Sequence, residues 1–244
     1  MEMTMRVAVL YSRVRVEEKL LIEELQRRCV EHELIDVRES VWDIDEPRGL
    51  DRFDVVMERC ISQTQALTAV RIFERFGIPC VNTSRVIDVC GDKLVTSLAL
   101  SRVGVPGPKV RVAVEGPSAL RAVEEMGYPA VLKPTVGSWG RLLARVHDRD
   151  AAEAVIEHKE TLGGPQHGVF YVQEYVHKPG RDLRVFMVGG EPICAIERQS
   201  EHWITNTARG GKAGKFTIDP TLADICRRTS AAIVGPSGGI LAID

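Results

Sequence analysis

Over the first ninety or so residues, apolar positions fall into short β-branched runs separated by stretches with helical spacing. Arg6 to Tyr11 reads as a buried strand. Glu17 to Glu33 follows with Leu21, Leu25 and Cys29 four residues apart, which is one apolar face of a helix. Leu34 to Val37 and Val55 to Met57 predict further strands, Ala66, Ala69, Val70 and Phe73 mark a second amphipathic helix, and Cys80 to Asn82 a fourth strand. One strand per helix predicts a small open α/β sheet with parallel pairing, a Rossmann-like arrangement over residues 1–93.

Beyond Lys93 the pattern changes. A helix from Leu94 to Arg102 ends at Gly104, and strands then come in close pairs. Lys109 to Val114, Pro129 to Lys133 and Leu142 to Val146 surround a helix at Pro117 to Met126. Ala151 to Lys159 is helical, Val169 to Tyr175, Leu183 to Val188 and Pro192 to Glu197 are strands, and a helix at Thr221 to Ile233 precedes a last strand, Ile240 to Asp244. This is an α+β organisation with antiparallel pairing, expected as two lobes over 94–176 and 177–244, without internal repeats or low-complexity linkers.

Composition narrows the picture. With 44% apolar and 27% charged residues and a net charge of −2, the 244-residue chain is of globular type, and no global field favours nucleic acid or membrane. An anionic ligand must therefore be held by a local cluster of cations. The six cysteines, Cys29, Cys60, Cys80, Cys90, Cys194 and Cys226, form no C-x-x-C pair and read as reduced core residues. Met1 to Met5 lacks the features of an export signal and no apolar run reaches the length of a membrane span, so the expected location is the cytoplasm.

Candidate chemistry concentrates at Val131 to Arg141. Lys133 closes a buried strand, and a loop with Gly137, Ser138 and Gly140 leads into the next one. Such a loop brings backbone N–H groups close to a polyphosphate while the lysine offsets its charge; an ordinary hairpin with a surface lysine fits the pattern equally well. Glu174, in Gln173-Glu174-Tyr175-Val176, falls at the mouth of a strand, where a carboxylate and backbone amides could read an adenine amino group and ribose hydroxyls. In Gly180 to Phe186, alternation puts Asp182 and Arg184 on one face, a pattern that a solvent-facing ion-pair edge also explains.

These segments, with Cys90-Gly91-Asp92-Lys93, occur in the order found in ATP-grasp enzymes. The chain resembles the LysX ligases of carrier-dependent lysine biosynthesis, relatives of the RimK-type glutamate ligases. The resemblance rests on Glu58 to Gln63, Gly137 to Leu142, Glu157-His158-Lys159 and His202 to Gly211, and it covers essentially the whole chain. It implies a pre-ATP-grasp domain followed by a two-lobed ATP-grasp fold with ATP between the lobes. Lys93 and Lys133 would meet phosphates, Gly137, Ser138, Trp139, Gly140, Arg141, Leu142 and Leu143 would form a flap, and Gln173, Glu174, Tyr175 and Val176 would lie at adenine. Asp182, Arg184 and Asn206 would complete the nucleotide shell, and Arg198, Thr207 and Ala208 would line the place where substrate meets the γ-phosphate. Arg198 and Lys133 are then the catalytic candidates, with Arg198 stabilising charge that develops during phosphoryl transfer. Read without the resemblance, Arg198 is a surface arginine.

The resemblance also implies ATP and Mg²⁺ as cofactors and a small acidic amino-group carrier protein as partner. The amino-acid substrate would be 2-aminoadipate or glutamate, and the assembly a dimer or tetramer. Asp244 matches an aspartate that binds the metal, and the acidic-x-asparagine strand expected after it is missing, so the fold is expected to be truncated at that end. Alternatives are a RimK-like glutamate ligase acting on another protein or peptide, and a noncatalytic nucleotide-binding module. Gly235 to Gly239 fits G-x-S-x-G, but a helix precedes it and a strand follows, the reverse of a nucleophile elbow. Arg209 to Phe216 departs from a phosphate loop at both ends and reads as a basic patch, with Arg209, Lys212 and Lys215 as candidate contacts for an acidic carrier.

Overall fold

The computed structural model describes residues 5–137, 140–164, 168–207, 210–235 and 238–244. The chain divides into two compact units, Met1–Asp88 and Val89–Asp244. Among the described residues no helix is long and apolar enough to cross a membrane.

In the first unit, β1 (Arg6–Tyr11), β2 (Glu31–Asp36), β3 (Val55–Glu58) and β4 (Cys80–Val81) form a sheet in the order β2-β1-β3-β4, every pairing parallel. β1 is apolar on both faces because both are covered. Val7 and Val9 meet Leu21 and Leu25 of α1 (Val16–Arg27), and Ala8 and Leu10 lie in a cluster with Ala69, Val70 and Phe73 of α2 (Gln63–Arg75). The helix expected to reach Glu33 stops at Arg27, and the strand expected at Leu34 begins at Glu31. At the break, Cys29 takes a left-handed φ of 54°, and Glu31 to Glu33 then pair alongside β1. The polar first half of this edge strand, Glu31 to Glu33, fits helical spacing equally well. A helix not anticipated, α3, spans Ser84–Gly91.

The second unit begins its regular structure with α4 (Lys93–Arg102) and holds two antiparallel sheets. One contains β5 (Val110–Ala113), β6 (Ala130–Lys133), β7 (Ala144–Val146) and β8 (Phe170–Glu174) in the order β5-β8-β6-β7. Ala130, Leu132, Phe170 and Val172 form its core with residues of α5 (Gly116–Met126) and α6 (Arg149–Leu162). Strand alternation therefore turns Lys133 to the opposite face.

The other sheet has the order β11-β10-β9-β12, from β9 (Arg181–Val188), β10 (Glu191–Gln199), β11 (Lys212–Phe216) and β12 (Ile240–Ile243). Val185, Met187, Ala195 and Leu241 are buried, as are Cys226, Ile233 and Val234 of α7 (Pro220–Val234). Lys212 to Phe216, part of the expected basic patch and not anticipated as a strand, is an edge strand, with Gln199 opposite Lys212 and Ala195 opposite Phe216. Its Lys-Ala-Gly-Lys text lacks strand propensity, and pairing to β10 overrides that. All six cysteines are free; Cys80 and Cys226 are buried, whereas Cys29, Cys90 and Cys194 are exposed and correct the expectation of core positions.

Candidate active site

Three lysines converge near the face of the first sheet of the second unit that lies opposite α5 and α6. Lys133 closes β6, and its Nζ donates to Gln173 Oε1 on neighbouring β8 at 2.7 Å. Lys93 opens α4 directly after its N-cap Asp92, whose carboxylate accepts from Leu94 N at 2.8 Å and Val95 N at 3.3 Å. Lys93 N donates to Thr135 O at 2.8 Å, and its Nζ to Gly137 O at 2.7 Å, which ties the helix start to the loop after β6. Burial, with the charges of Lys93 and Lys178 close by, lowers the Lys133 ammonium to about 8. Burial also lowers Lys93, against the pull of Asp92. Neither Lys93 nor Lys133 has an ion-pair partner among the described residues. A buried lysine whose ammonium is further disfavoured by two neighbouring cations is a site short of an anion.

The second sheet brings its charged residues into a closed lattice. Register sets Arg198 of β10 opposite Asp182 of β9, and Asp182 accepts from Arg198 Nε and Nη2, both at 2.8 Å. Arg184, two residues along, donates from Nε and Nη2 to Asp244 at 2.6 and 2.7 Å. Arg198 Nη2 also reaches Asp244 at 3.1 Å, so one guanidinium bridges two carboxylates. Arg198 is 3% exposed, which corrects its reading as a surface arginine. Burial alone would raise the Asp182 carboxyl; the hydrogen bonds of Arg198 and Thr205 reverse this and leave it below the usual carboxylate range.

Lys178 joins the two groups. Its Nζ donates to Thr205 Oγ1 at 2.8 Å and lies 3.5 Å from Asp182, while Thr205 Oγ1 donates in turn to Asp182. Lys178 was not among the expected site residues, although the sequence carries a signal: Lys178-Pro179-Gly180 comes shortly after a strand and repeats the Lys-Pro pair of Lys133-Pro134.

Among the other expected site residues, Glu174 accepts from Lys109 N at 2.8 Å and so fastens the start of β5. Tyr175 lies edge-on to His177 and Trp203, and Arg145 donates to the Tyr175 hydroxyl at 3.0 Å with its guanidinium over the Tyr175 and Trp203 rings. Val176 is about half exposed. Gly140 has a φ of 64° and packs so closely that a Cβ there would lie 2.8 Å from Ile204 and 3.1 Å from Asn206 Oδ1. The loop after β6 thus meets the loop carrying Asn206 and Thr207. Leu142 and Leu143 instead line an apolar cavity of about 500 Å³ with Leu132, Val155 and Leu162, on the α6 side of the sheet, and Arg141 is exposed. Ser138, Trp139, Ala208 and Arg209 lie outside the described residues, as do Pro236 and Ser237.

Through Lys178, Thr205 and Asp182 the lysine cluster of one antiparallel sheet is joined to the arginine–aspartate lattice of a second, a site suited to a polyphosphate. Residues 7–89 match the LysX preATP-grasp domain and residues 90–241 the RimK-like ATP-grasp domain, and the chain belongs to this family of ATP-dependent ligases. It is 34% identical over 233 residues to a glutamate–LysW ligase, ArgX, of Sulfolobus acidocaldarius, covering 95% of this chain and 82% of that one. It is 35% identical over 236 residues to an α-aminoadipate–LysW ligase, LysX, of Sulfurisphaera tokodaii, with the same coverage. Among solved structures, a RimK-domain ATP-grasp protein from Sphaerobacter thermophilus aligns with a TM-score of 0.78 at 26% identity, covering 98% of this chain and 89% of that one.

Proposed function

We propose that this ligase uses ATP to activate the side-chain carboxylate of a carboxyl-terminal glutamate on a small acidic amino-group carrier protein, and joins it to the α-amino group of 2-aminoadipate or glutamate. A carboxylate oxygen attacks the γ-phosphorus and ADP leaves; the amine then attacks the acyl carbon, phosphate leaves, and the amine loses a proton. The observation that carries the reading is the depressed, unpaired Lys133 beside Lys93 and Lys178, a cluster suited to a polyphosphate. Lys93 and Lys133 take phosphate oxygens, with Gly137 and Gly140 of the following loop over them, whereas Leu142 and Leu143 belong to the apolar cavity on the other face. Gln173 to Val176 serve the adenine, and Asp182, Arg184 and Asn206 the rest of the nucleotide shell. Arg198 stabilises the transferring phosphoryl group, with Thr207 and Ala208 at the substrate.

Magnesium suits part of this donor set. Among the described residues no three His, Cys, Asp or Glu side chains are grouped to hold a metal, but an ion carried on ATP needs few protein oxygens. Asp244, on the lattice face, is the candidate ligand. When bound, the ion would neutralise charge developing on the phosphates. Arg209, Lys212 and Lys215 are the proposed carrier contacts; Lys212 and Lys215 are exposed on β11.

The near-equal identity to a glutamate and an aminoadipate ligase supports both amino acids as candidates. ADP release is measured with ATP, Mg²⁺, a carrier ending in glutamate, and each amino acid in turn. Turnover that requires both carrier and one of the amino acids is the expected result. ATP binding without such turnover would overturn the assignment in favour of a noncatalytic module, and turnover on an unrelated glutamate-ended peptide would favour a RimK-like role.

A further inference from the structure

The first unit carries a charged cluster that the nucleotide chemistry does not use. Its sheet order, β2-β1-β3-β4, reverses direction at β1, and the helices following β1 and β3 pack on opposite faces. In such a sheet a crevice opens beyond the carboxyl ends of the two strands where the order reverses, here β1 and β3. Arg13 and Arg15 follow β1, and Glu58 and Arg59 lie at the end of β3.

These side chains are held with unusual care for a surface. Glu18, in the first turn of α1, is 1% exposed and carries two arginines. Arg15 donates from Nε and Nη2 at 2.9 and 2.8 Å, and Arg59 reaches the same carboxylate from Nε and Nη2 at 3.1 and 2.8 Å. Burial would raise the Glu18 carboxyl, but the hydrogen bonds from Arg15 and Arg59 bring it down to about 2. A fully ionised, buried carboxylate thus fixes the direction of two guanidinium groups that each remain about a third exposed. Among the described residues Arg59 Nη1 meets no acceptor, and a planar guanidinium anchored along one edge presents the other to a second carboxylate. Glu58 lies beside it and accepts from Cys60 N; burial raises its carboxyl, and an ammonium group arriving there would offset that penalty and favour the carboxylate.

We propose that the crevice beyond β1 and β3 binds an amino acid, with Arg59, aimed by Glu18, taking a carboxylate and Glu58 taking the ammonium group. The identity of the ligand as 2-aminoadipate or glutamate rests on the ligase reading above; the site itself does not.

Binding of both amino acids to the full chain is measured by calorimetry with Mg²⁺ and a non-hydrolysable ATP analogue at saturation. Arg59→Gln is expected to weaken amino-acid binding by about tenfold or more, and Arg59→Lys, which keeps the charge near Glu18 but loses the fork, by less. Glu58→Gln is expected to weaken both amino acids while leaving glutarate, which lacks the ammonium group, unaffected. Affinity for the ATP analogue should stay at the wild-type value in all three. Unchanged amino-acid affinity in Arg59→Lys and Arg59→Gln chains that melt like wild type would overturn the site, as would a wild-type chain that binds neither amino acid. A wild-type chain that binds amino acid in an Arg59-dependent way yet releases no ADP with the carrier would support the site and overturn the ligase assignment instead.

Discussion

Lys133, at the end of β6, meets two further ammonium groups and an amide oxygen, whereas Arg198, on β10 of the other sheet, is gripped by Asp182 and reached by Asp244. Both are cations on antiparallel sheets in one unit, yet Lys133 has no carboxylate partner among the described residues and Arg198 is matched carboxylate for guanidinium. The difference separates two uses of charge. Unpaired lysines lower the stability of the empty protein and are useful only when an anion arrives. Paired arginines form part of the fold and hold a fixed geometry around whatever that anion does.

Substituting the central lysine tests the comparison most severely. Lys133→Met is expected to lower turnover on the order of 100-fold or more, because a buried donor to developing charge is lost. The same variant should melt no lower than wild type, since it removes repulsion from Lys93 and Lys178. A steady-state assay and a thermal melt on one preparation check both; normal turnover, or a marked loss of stability, would break the contrast. Asp182→Asn should behave in the opposite sense. It leaves the guanidinium of Arg198, only 3% exposed, short of its bidentate partner, and should destabilise the chain by about 3 kcal/mol in denaturant unfolding.

A pH series sharpens the same distinction. Lys133 in the empty protein loses its proton near 8, well below the usual lysine range, and a bound polyphosphate favours the protonated form. Nucleotide binding should therefore take up a proton at and somewhat above that pH, and affinity should fall as pH rises through it. Calorimetry in two buffers of different ionisation enthalpy measures the uptake, and Lys133→Met should abolish it. Stability of the empty chain has the same origin: with the folded value depressed, protonation penalises the native state, so stability rises with pH from about 8 toward the ordinary lysine value.

The sequence made these two groups legible to different depths. Lys133 was visible because a buried apolar run ends on it and a glycine-bearing loop follows, which are local features. Arg198 was not, because its burial depends on the pairing register that sets it against Asp182, sixteen residues away through a hairpin. Lys178 belongs to the cluster only because the chain passes from β8 back toward β9 near Thr205. The parallel sheet of the first unit followed from alternating strands and helices, and β2 was legible from Leu34 onward, while its first half, Glu31 to Glu33, was hidden by a spacing that suits a helix as well as a polar edge strand. β11 was hidden by a glycine- and lysine-rich text whose strand form comes from its neighbour.

The smallest expected effect separates the two arginines within the lattice. Arg184 grips Asp244 at 2.6 and 2.7 Å, geometry at least as good as that of Arg198 on Asp182, so a tally of contacts would rank the two pairs alike. Their surroundings differ: the Arg184 and Asp244 side chains are 33% and 42% exposed, against 3% and 24% for Arg198 and Asp182. Water already solvates the outer pair in both states, and Asp244 keeps Arg198 as a partner if Arg184 is lost. Arg184→Gln should therefore change stability by less than about 1 kcal/mol, and the change should shrink further as salt is raised. Denaturant midpoints at low and high ionic strength, taken beside Asp182→Asn, measure the gap. Equal losses in the two variants would mean that geometry rather than burial sets the strength of the lattice.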